Sequence, residues 1–139
     1  MSRSAAAVQR VIKAYDVRGL VGEEIDDAFV REVGASFARL MRDGEGSTQV
    51  VIGYDMRASS PVLAAAFAEG VMDQGLDVVR IGLASTDQLY FASGSLDCPG
   101  AMFTASHNPA AYNGIKLCRA GAKPVGKDTG LTTISDEVI

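Results

Sequence analysis

The chain has 139 residues, of which 47% are hydrophobic, so its length and composition suit one globular domain with its own core. Its formal net charge of −4 argues against a protein that binds nucleic-acid backbones nonspecifically or coats an anionic membrane. The sequence has no apolar stretch long enough for a secretory signal or a membrane span, and we therefore expect a cytoplasmic protein.

The first predicted elements are a helix and a buried strand. Between about residues 26 and 43, apolar side chains recur at helical spacing, with aspartates at the start and a glycine after the end, which predicts an amphipathic helix. The run 49–53, Gln-Val-Val-Ile-Gly, is typical of a strand that is buried on both faces. A second helix is predicted from Ser59 or Ser60 to Gly75, because a serine cap precedes a proline in its first turn.

The alternation of strands and helices continues in the second half of the chain. A strand is predicted at 77–81, a third helix from Ser85, and two further strands at 100–103 and 115–118. This pattern favours an α/β fold with three layers, α/β/α, around a mixed, mostly parallel four-stranded sheet. The last strand is expected to lie antiparallel at an edge of that sheet.

The cysteines and the end of the chain carry two further predictions. Cys98 and Cys118 do not match the spacing of a zinc site, so we interpret both as reduced, partly buried hydrophobic residues. The tail ends on residues 135–139, which resemble the first turn of a helix without its continuation. We therefore predict that residues 1–139 are one domain cut from a longer protein, with a frayed terminus as the alternative.

Three polar clusters are expected beyond the carboxyl ends of strands, where ligands gather in an open α/β sheet. They are 15–19 (Tyr-Asp-Val-Arg-Gly), 53–57 (Gly-Tyr-Asp-Met-Arg) and 104–116. Within the first, Arg18 suits bidentate contacts with a phosphate, and a surface salt bridge with Asp16 is an equal alternative.

Two polar pairs have structural interpretations. Asp55 and Arg57 lie just before the second predicted helix, where pairing with each other would brace the loop. Asn113 and Gly114 by themselves predict a tight turn.

The cluster 104–116 carries the strongest chemical prediction. Ser106 lies on a polar loop after a buried strand, where its hydroxyl can act as a nucleophile if a base or a charge-stabilising group is near. Lys116 returns on the neighbouring strand and suits phosphate oxygens as a point charge. His107 suits either a sugar-phosphate contact or proton transfer, whereas Ser106 without these neighbours would be an ordinary loop serine.

Other reaction classes fit the sequence poorly. The Gly-x-Ser-x-Gly pattern of many serine hydrolases is absent around Ser106, and the single histidine lies directly beside it, which is an awkward place for a triad base. The chain also has neither a Walker loop nor the dinucleotide glycine fingerprint, which disfavours a nucleotide-using kinase.

The run 104–109, Thr-Ala-Ser-His-Asn-Pro, followed by Tyr-Asn-Gly-Ile-Lys at 112–116, resembles the active-site motif of the α-D-phosphohexomutases. The cluster 15–19 resembles the amino-terminal motif of the same family, and the resemblance covers nearly the whole chain. It implies that Ser106 carries a phosphate, gives it to a hexose monophosphate, and takes back the other phosphate from the hexose bisphosphate intermediate. Of the family's members, the bacterial phosphomannomutase/phosphoglucomutase group is the most similar.

The resemblance also implies roles for the other polar residues. Lys116 corresponds to the family's general acid/base, and His107 and Arg18 would help to hold the substrate or the phosphoserine. Tyr15 would line the same cleft, and we expect Asn108, two residues after the serine, to contact the substrate as well. The substrate is expected to be a mannose or glucose phosphate, with phosphoglucosamine as an alternative.

The family resemblance further implies a magnesium ion and additional domains. The Mg²⁺ would be bound by an oxygen of the phosphate on Ser106 and by three aspartates of an Asp-Gly-Asp-Gly-Asp motif, which this chain lacks. The loops that select the sugar and bind its phosphate also belong to later domains. We therefore expect the isolated chain to be inactive as a mutase. A noncatalytic phosphosugar-binding or interaction module remains the alternative function.

Overall fold

The computed structural model describes residues 4–105 and 108–139, in which helices and strands alternate along the chain. The α-helices are α1 (Ala5–Val11), α2 (Asp27–Glu45), α3 (Ser60–Asp73), α4 (Thr86–Leu96) and α5 (Leu131–Val138). The strands are β1 (Val17–Leu20), β2 (Gln49–Tyr54), β3 (Asp77–Leu83), β4 (Gly100–Phe103), β5 (Tyr112–Arg119) and β6 (Lys123–Pro124). A 3₁₀ turn at Lys127–Thr129 precedes α5.

The strands form a single mixed sheet. Their order is β1-β5-β4-β2-β3, and β6 pairs with the far end of β5. β2 is parallel to β3 and to β4, whereas β5 is antiparallel to its neighbours β4, β1 and β6. Because β5 alone of these six strands runs the opposite way, the sheet is mostly parallel in direction. The predicted α/β fold with a mixed, mostly parallel sheet is confirmed.

The sheet has six strands in the described part of the chain, two more than the four predicted from the sequence. The strand predicted at 115–118 is antiparallel as expected, but it is not an edge strand, because β1 pairs along its other side. The cluster 15–19 therefore does not follow a strand and instead includes most of β1. A four-residue strand that contains an arginine and a glycine has little β pattern of its own, and it forms by pairing Val17 with Ile115.

The three long helices begin where their capping residues predicted. Asp26 caps α2 by accepting a 2.8 Å hydrogen bond from the amide of Phe29, and Gly46 ends this helix in the left-handed region at φ 69°. Ser85 caps α4, and the side chain of Gln88 bonds back to the Ser85 amide at 2.7 Å, which completes a capping box. These local signals set the starts of α2 and α4. Ser59 at the start of α3 makes no side-chain capping bond, and α2 continues through Gly44 and Glu45, past its predicted end at about residue 43.

The sheet separates two apolar layers of unequal size. The larger core lies on the side of α2 and α3 and includes Phe29, Phe37, Phe67 and Phe103. The smaller core lies on the side of α4 and consists of Val51, Leu89, Cys98, Met102 and Cys118, with four partly buried residues against it. Both cysteines are free thiols, more deeply buried than the sequence predicted, and burial raises the pKa of each.

Helices α2 and α3 approach closely because each presents a glycine at the crossing. A Cβ atom on Gly34 would lie 2.4 Å from the carbonyl oxygen of Phe67, and one on Gly70 would lie 2.1 Å from that of Arg31. Any side chain at either position would push the helix backbones apart. The two glycines therefore allow α3 to pack close to α2, next to β2. The candidate site begins at the carboxyl end of β2.

The tail of the chain folds back onto the larger core. The prediction that residues 135–139 form the first turn of a helix is wrong, because residues 135–138 are the last part of α5, in which Leu131, Ile134 and Val138 are buried. The Glu137 carboxylate accepts hydrogen bonds from Ser36 at 2.8 Å and Arg39 at 2.7 Å, which ties α5 to α2. None of the helices in the described residues has the length and apolarity that crossing a membrane requires.

Candidate active site

The loop that follows β4 begins at the carboxyl edge of the parallel strands. The amide of Asp55, just past β2, donates to the carbonyl of Phe103 at 2.9 Å, and the amide of Thr104 donates to the carbonyl of Gly114 at 3.0 Å. The ends of β2 and β4 and the start of β5 therefore lie side by side. Ser106 and His107, the predicted nucleophile and its neighbour, lie in this loop but outside the residues that the structure describes.

Arg57 holds the second half of this loop through main-chain contacts. Its Nη2 donates to the carbonyl oxygen of Asn108 at 2.5 Å, and its Nε donates to the carbonyl oxygen of Tyr112 at 3.0 Å. Its Nη1 donates to Oδ2 of Asp55 at 2.8 Å, within an ion pair whose side chains are 7% and 10% exposed. The prediction that Asp55 and Arg57 pair internally is confirmed, and the pair also reaches the backbone of the 104–111 loop.

Asp55 is buried and fully engaged by donors. Its Oδ1 accepts from the hydroxyl of Ser60 at 2.6 Å and from the amide of Arg57 at 3.0 Å, and its Oδ2 accepts from the Arg57 guanidinium at 2.8 Å. Burial acts to raise the pKa of Asp55, but the hydrogen bonds that it accepts outweigh burial and hold the pKa below its ordinary value. Asp55 is therefore an ionised anchor at neutral pH.

Asn113 and Gly114 do not form the tight turn that the sequence predicted, because both lie inside β5. The buried Asn113 amide donates to the hydroxyls of Ser59 at 2.8 Å and Ser60 at 2.9 Å, while its Oδ1 accepts from the amide of Gly114 at 2.8 Å. A Cβ atom on Gly114 would lie 2.2 Å from the carbonyl oxygen of Val17. The pair thus holds β5 against the start of α3 and allows β1 to approach closely.

Arg18 projects from β1 toward the same loop. It lies opposite Gly114 in the register of β1 and β5, and its Nη1 donates to Oδ1 of Asn108 at 3.0 Å. Its Nε lies 3.6 Å from Oδ2 of Asp16 and has no hydrogen-bond partner among the described residues, although that atom is buried. The predicted pairing with Asp16 is present, and the guanidinium still keeps part of its surface exposed.

A cleft of about 330 Å³ gathers three of the predicted site residues. It is lined by Lys13, Ala14, Tyr15, Asp16, Arg18, Tyr90, Lys116, Leu117 and Pro124. Lys116 is opposite Met102 on β4, on the face of the sheet that α4 covers, and Tyr15 is 81% exposed at the mouth. Asn108 is joined to this cleft through its bond with Arg18.

The charges around the cleft favour an anionic ligand. Three cationic side chains, Lys13, Arg18 and Lys116, line it, and Asp16 is the one carboxylate in the lining. A guanidinium offers paired donors to phosphate oxygens, whereas an ammonium acts as a point charge. The exposed phenol ring of Tyr15 adds an apolar face with a polar tip, which suits a sugar ring. The arrangement can therefore bind a sugar phosphate in chemical terms.

The family model described as phosphoglucomutase/phosphomannomutase, alpha/beta/alpha domain I, matches residues 9–138. This chain belongs to the phosphoglucomutase/phosphomannomutase family. The match includes the loop after β4, the cleft residues and the whole sheet, so the resemblance predicted from the sequence motifs is confirmed.

Individual relatives agree with this assignment. A phosphomannomutase of Vibrio cholerae is 43% identical over 124 residues, which are 88% of this chain and 27% of that protein. A phosphomannomutase of Klebsiella pneumoniae is 44% identical over 123 residues, which are 88% of this chain and 76% of that protein. A family protein of Burkholderia thailandensis has a crystal structure that superimposes with a TM-score of 0.84 at 30% identity.

The share of each relative that is matched varies. The structural match covers 99% of this chain but 30% of the Burkholderia thailandensis chain. The match to a phosphomannomutase of Escherichia coli covers 26% of that protein. This chain therefore corresponds to domain I of longer family members.

The structure adds Arg57 and Asn113 to the residues that shape the site of this family member. Sequence reasoning treated the first as a local brace and the second as part of a turn. The position of Arg57 in the sequence was the signal that could have placed it at the site. Arg57 follows β2 by a few residues, and β2 is the parallel neighbour of β4, after which the loop with Ser106 begins. Lys13 and Tyr90 also line the cleft, and neither carries a motif that singles it out.

Proposed function

We propose that this chain is the phosphoserine-bearing domain of a phosphohexose mutase that interconverts hexose 1-phosphate and hexose 6-phosphate. Ser106 carries the phosphoryl group, and the hexose bisphosphate is the intermediate. The observation that supports this most is the cleft shared by Tyr15, Arg18 and Lys116, with Arg18 bonded to Asn108 two residues after Ser106. Mannose phosphate is the favoured substrate, because the relatives from Vibrio cholerae and Klebsiella pneumoniae are named phosphomannomutases.

In the proposed reaction, the free hydroxyl of a hexose monophosphate attacks the phosphorus of phosphorylated Ser106. The bond between phosphorus and Oγ of Ser106 breaks as the bond to the sugar oxygen forms. The ammonium of Lys116 gives a proton to the leaving Oγ, and the resulting amine takes the proton of the sugar hydroxyl. The bisphosphate then turns round, and Ser106 takes the other phosphoryl group by the reverse steps. The substrate phosphate is held by Arg18, with His107, Asn108 and Tyr15 as further contacts.

Mg²⁺ is part of this proposal, with the phosphate on Ser106 as the ligand that this chain would supply. Among residues 4–105 and 108–139, no group of three or more His, Cys, Asp or Glu side chains is arranged to hold a metal ion. The buried carboxylate beside the loop, Asp55, is already engaged by Ser60 and Arg57. When bound, the ion would use a phosphate oxygen on Ser106 and carboxylates from outside this chain, and would offset negative charge on the phosphoryl group.

The isolated domain is proposed to lack mutase activity, because the chain supplies the nucleophile without the groups that complete the metal site. Later domains of the same polypeptide would supply them, together with the contacts that select the sugar. Turnover of mannose 1-phosphate by the purified 139-residue chain would contradict this part of the proposal.

The proposed phosphoryl carrier is tested in the full-length protein. We expect incubation with ³²P-labelled hexose bisphosphate and Mg²⁺ to place the label on the peptide that contains Ser106, as located by mass spectrometry. Ser106→Ala should remove both labelling and mutase activity. Ser95→Ala, which changes an exposed serine on α4, is the matched control and should leave both intact.

The alternative, a noncatalytic module that binds phosphosugars, predicts a different outcome. Such a module would bind hexose phosphate in the cleft without incorporating label, and Ser106→Ala would leave binding unchanged. A full-length protein that stays unlabelled while it binds mannose 1-phosphate would favour this alternative over the mutase.

A further inference from the structure

The loop that contains Ser106 is held at both ends by one buried ion pair. On the far side of Ser106, the guanidinium of Arg57 donates to the backbone carbonyls of Asn108 and Tyr112 at 2.5 and 3.0 Å. These acceptors are main-chain atoms, so the contact holds the backbone at Asn108 and Tyr112 irrespective of the side chains there. The loop is therefore tied to the carboxyl end of β2, where Arg57 lies.

On the near side of Ser106, the same ion pair reaches the end of β4. The amide of Asp55 donates to the carbonyl of Phe103 at 2.9 Å, and Oδ2 of Asp55 accepts from Arg57 at 2.8 Å. Asp55 is itself fixed by the hydroxyl of Ser60, in the first turn of α3, at 2.6 Å. Phe103, three residues before Ser106, and Asn108, two residues after it, are thus both bonded to the ion pair of Asp55 and Arg57.

Arg57 is not placed to bind the substrate directly. Its side chain is 7% exposed, and three of its nitrogens already donate to protein oxygens at 2.5, 2.8 and 3.0 Å. Three acceptors in three directions require a planar fork of donors, which arginine has and lysine lacks. Arg57 therefore acts through the loop.

We propose that Arg57, braced by Asp55, is a positioning residue that sets the location of Oγ of Ser106 for phosphoryl transfer. This inference rests on the proposed function of Ser106. In-line transfer depends on the alignment of the attacking oxygen, the phosphorus and the leaving oxygen, and a displacement of about 1 Å can lower a rate by about 10²-fold. A loop held at both ends keeps that alignment through both half-reactions, in which Ser106 first gives and then takes the phosphoryl group.

The test uses the full-length protein with Arg57→Lys, which keeps the positive charge beside Asp55 but cannot reach both carbonyls. We expect single-turnover transfer from phosphorylated Ser106 to mannose 1-phosphate to slow by about 10- to 100-fold. The KM for mannose 1-phosphate should change by less than about 3-fold, because uniform binding of substrate is not removed. Arg31→Lys is the control, since Arg31 pairs with Glu69 and Asp73 on the surface of α2 and α3.

Two results would overturn the inference. One is a folded Arg57→Lys protein that transfers phosphate at the wild-type rate, and the other is a loss confined to KM. If Arg57→Lys does not fold, Asp55→Asn is used instead, because the amide keeps an acceptor for Ser60 while the ion pair to Arg57 is lost. The same slowing of transfer is expected in that variant, and an unchanged rate would count against the proposal.

The experiment separates this inference from the proposed function. Wild-type protein that acquires no phosphate on Ser106 contradicts the proposed function, whatever the behaviour of Arg57 variants. Wild-type protein that is phosphorylated on Ser106 and active, together with an equally fast Arg57→Lys variant, contradicts the positioning role alone.

Discussion

The side-chain amide of Asn113, on β5, donates a 2.9 Å hydrogen bond to the hydroxyl of Ser60 in the first turn of α3. Ser60 in turn donates to Asp55 at 2.6 Å, so one hydroxyl joins the returning strand to the anchor of the loop. This bond passes between layers of the fold: it connects the sheet to the helix whose start the proline at position 61 marks.

Replacing Asn113 should therefore destabilise the domain. Asn113→Ala leaves the amide of Gly114 and two serine hydroxyls with fewer partners in a buried place, which should lower the free energy of unfolding by about 1–3 kcal/mol. Urea unfolding of the 139-residue chain measures the change. Thr133→Ala, at an exposed position of α5, should shift it by less than about 0.5 kcal/mol, and equal midpoints for the two variants would refute the role of Asn113.

The same substitution should have opposite effects at two helical glycines. Gly70→Ala places a methyl group 2.1 Å from the carbonyl of Arg31 at the crossing of α2 and α3, and should destabilise by about 1–3 kcal/mol. Gly44→Ala, near the exposed end of α2, meets no atom within 4 Å and should stabilise by about 1 kcal/mol. Thermal unfolding of both variants checks the prediction, which fails if they shift in the same direction.

Stability should depend on pH through Asp55. The carboxylate has a lowered pKa in the folded state, so its contribution is fully present above its ordinary pKa of 3.8 and is lost as the pH falls through the lowered value. We expect wild type to exceed Asp55→Asn in unfolding free energy at pH 7. The difference should stay constant down to about pH 5 and shrink in more acidic solution. A difference that does not vary with pH would exclude Asp55 as the group responsible.

Arg18 should contribute to substrate binding more than to the chemical step. In the full-length protein, Arg18→Lys removes the fork that contacts Asn108 and faces the cleft, so the KM for mannose 1-phosphate should rise by about 10-fold. Steady-state kinetics measures this, with Arg80→Lys on the exposed side of β3 as the control. An unchanged KM together with a reduced kcat would assign Arg18 to the reaction itself.

The sequence predicted those parts of the fold that local physics decides. The cap at Ser85, the aspartates before α2 and the β-branched run of β2 each carry their own signal, and the structure confirms all three. β1 lacks such a signal, because its four residues become a strand only through pairing with β5. Asn113 and Gly114 have turn chemistry in sequence, but burial against α3 and the approach of β1 place them in a strand.

The residues of the candidate site also differ in whether a local sequence signal identifies them. Arg18, Lys116 and Tyr15 were predicted because they stand in motifs with a chemical interpretation, and the structure brings them to one cleft. The reach of Arg57 could not be predicted, since its two acceptors are backbone carbonyls that lie more than fifty positions further along the chain. Main-chain acceptors leave no pattern of residue types, so only the folded geometry identifies their partner.

The unequal division of the apolar core has a consequence for how the domain opens. The layer under α4 rests on five buried residues, and α4 itself buries only Leu89 and Ser93 among its described side chains. This layer should therefore detach at a lower free energy than the layer of α2 and α3, as a separate cooperative unit visible in native-state hydrogen exchange. Tyr90, on α4, lines one side of the cleft, so this side of the cleft belongs to the layer that we expect to unfold locally at the lower free energy.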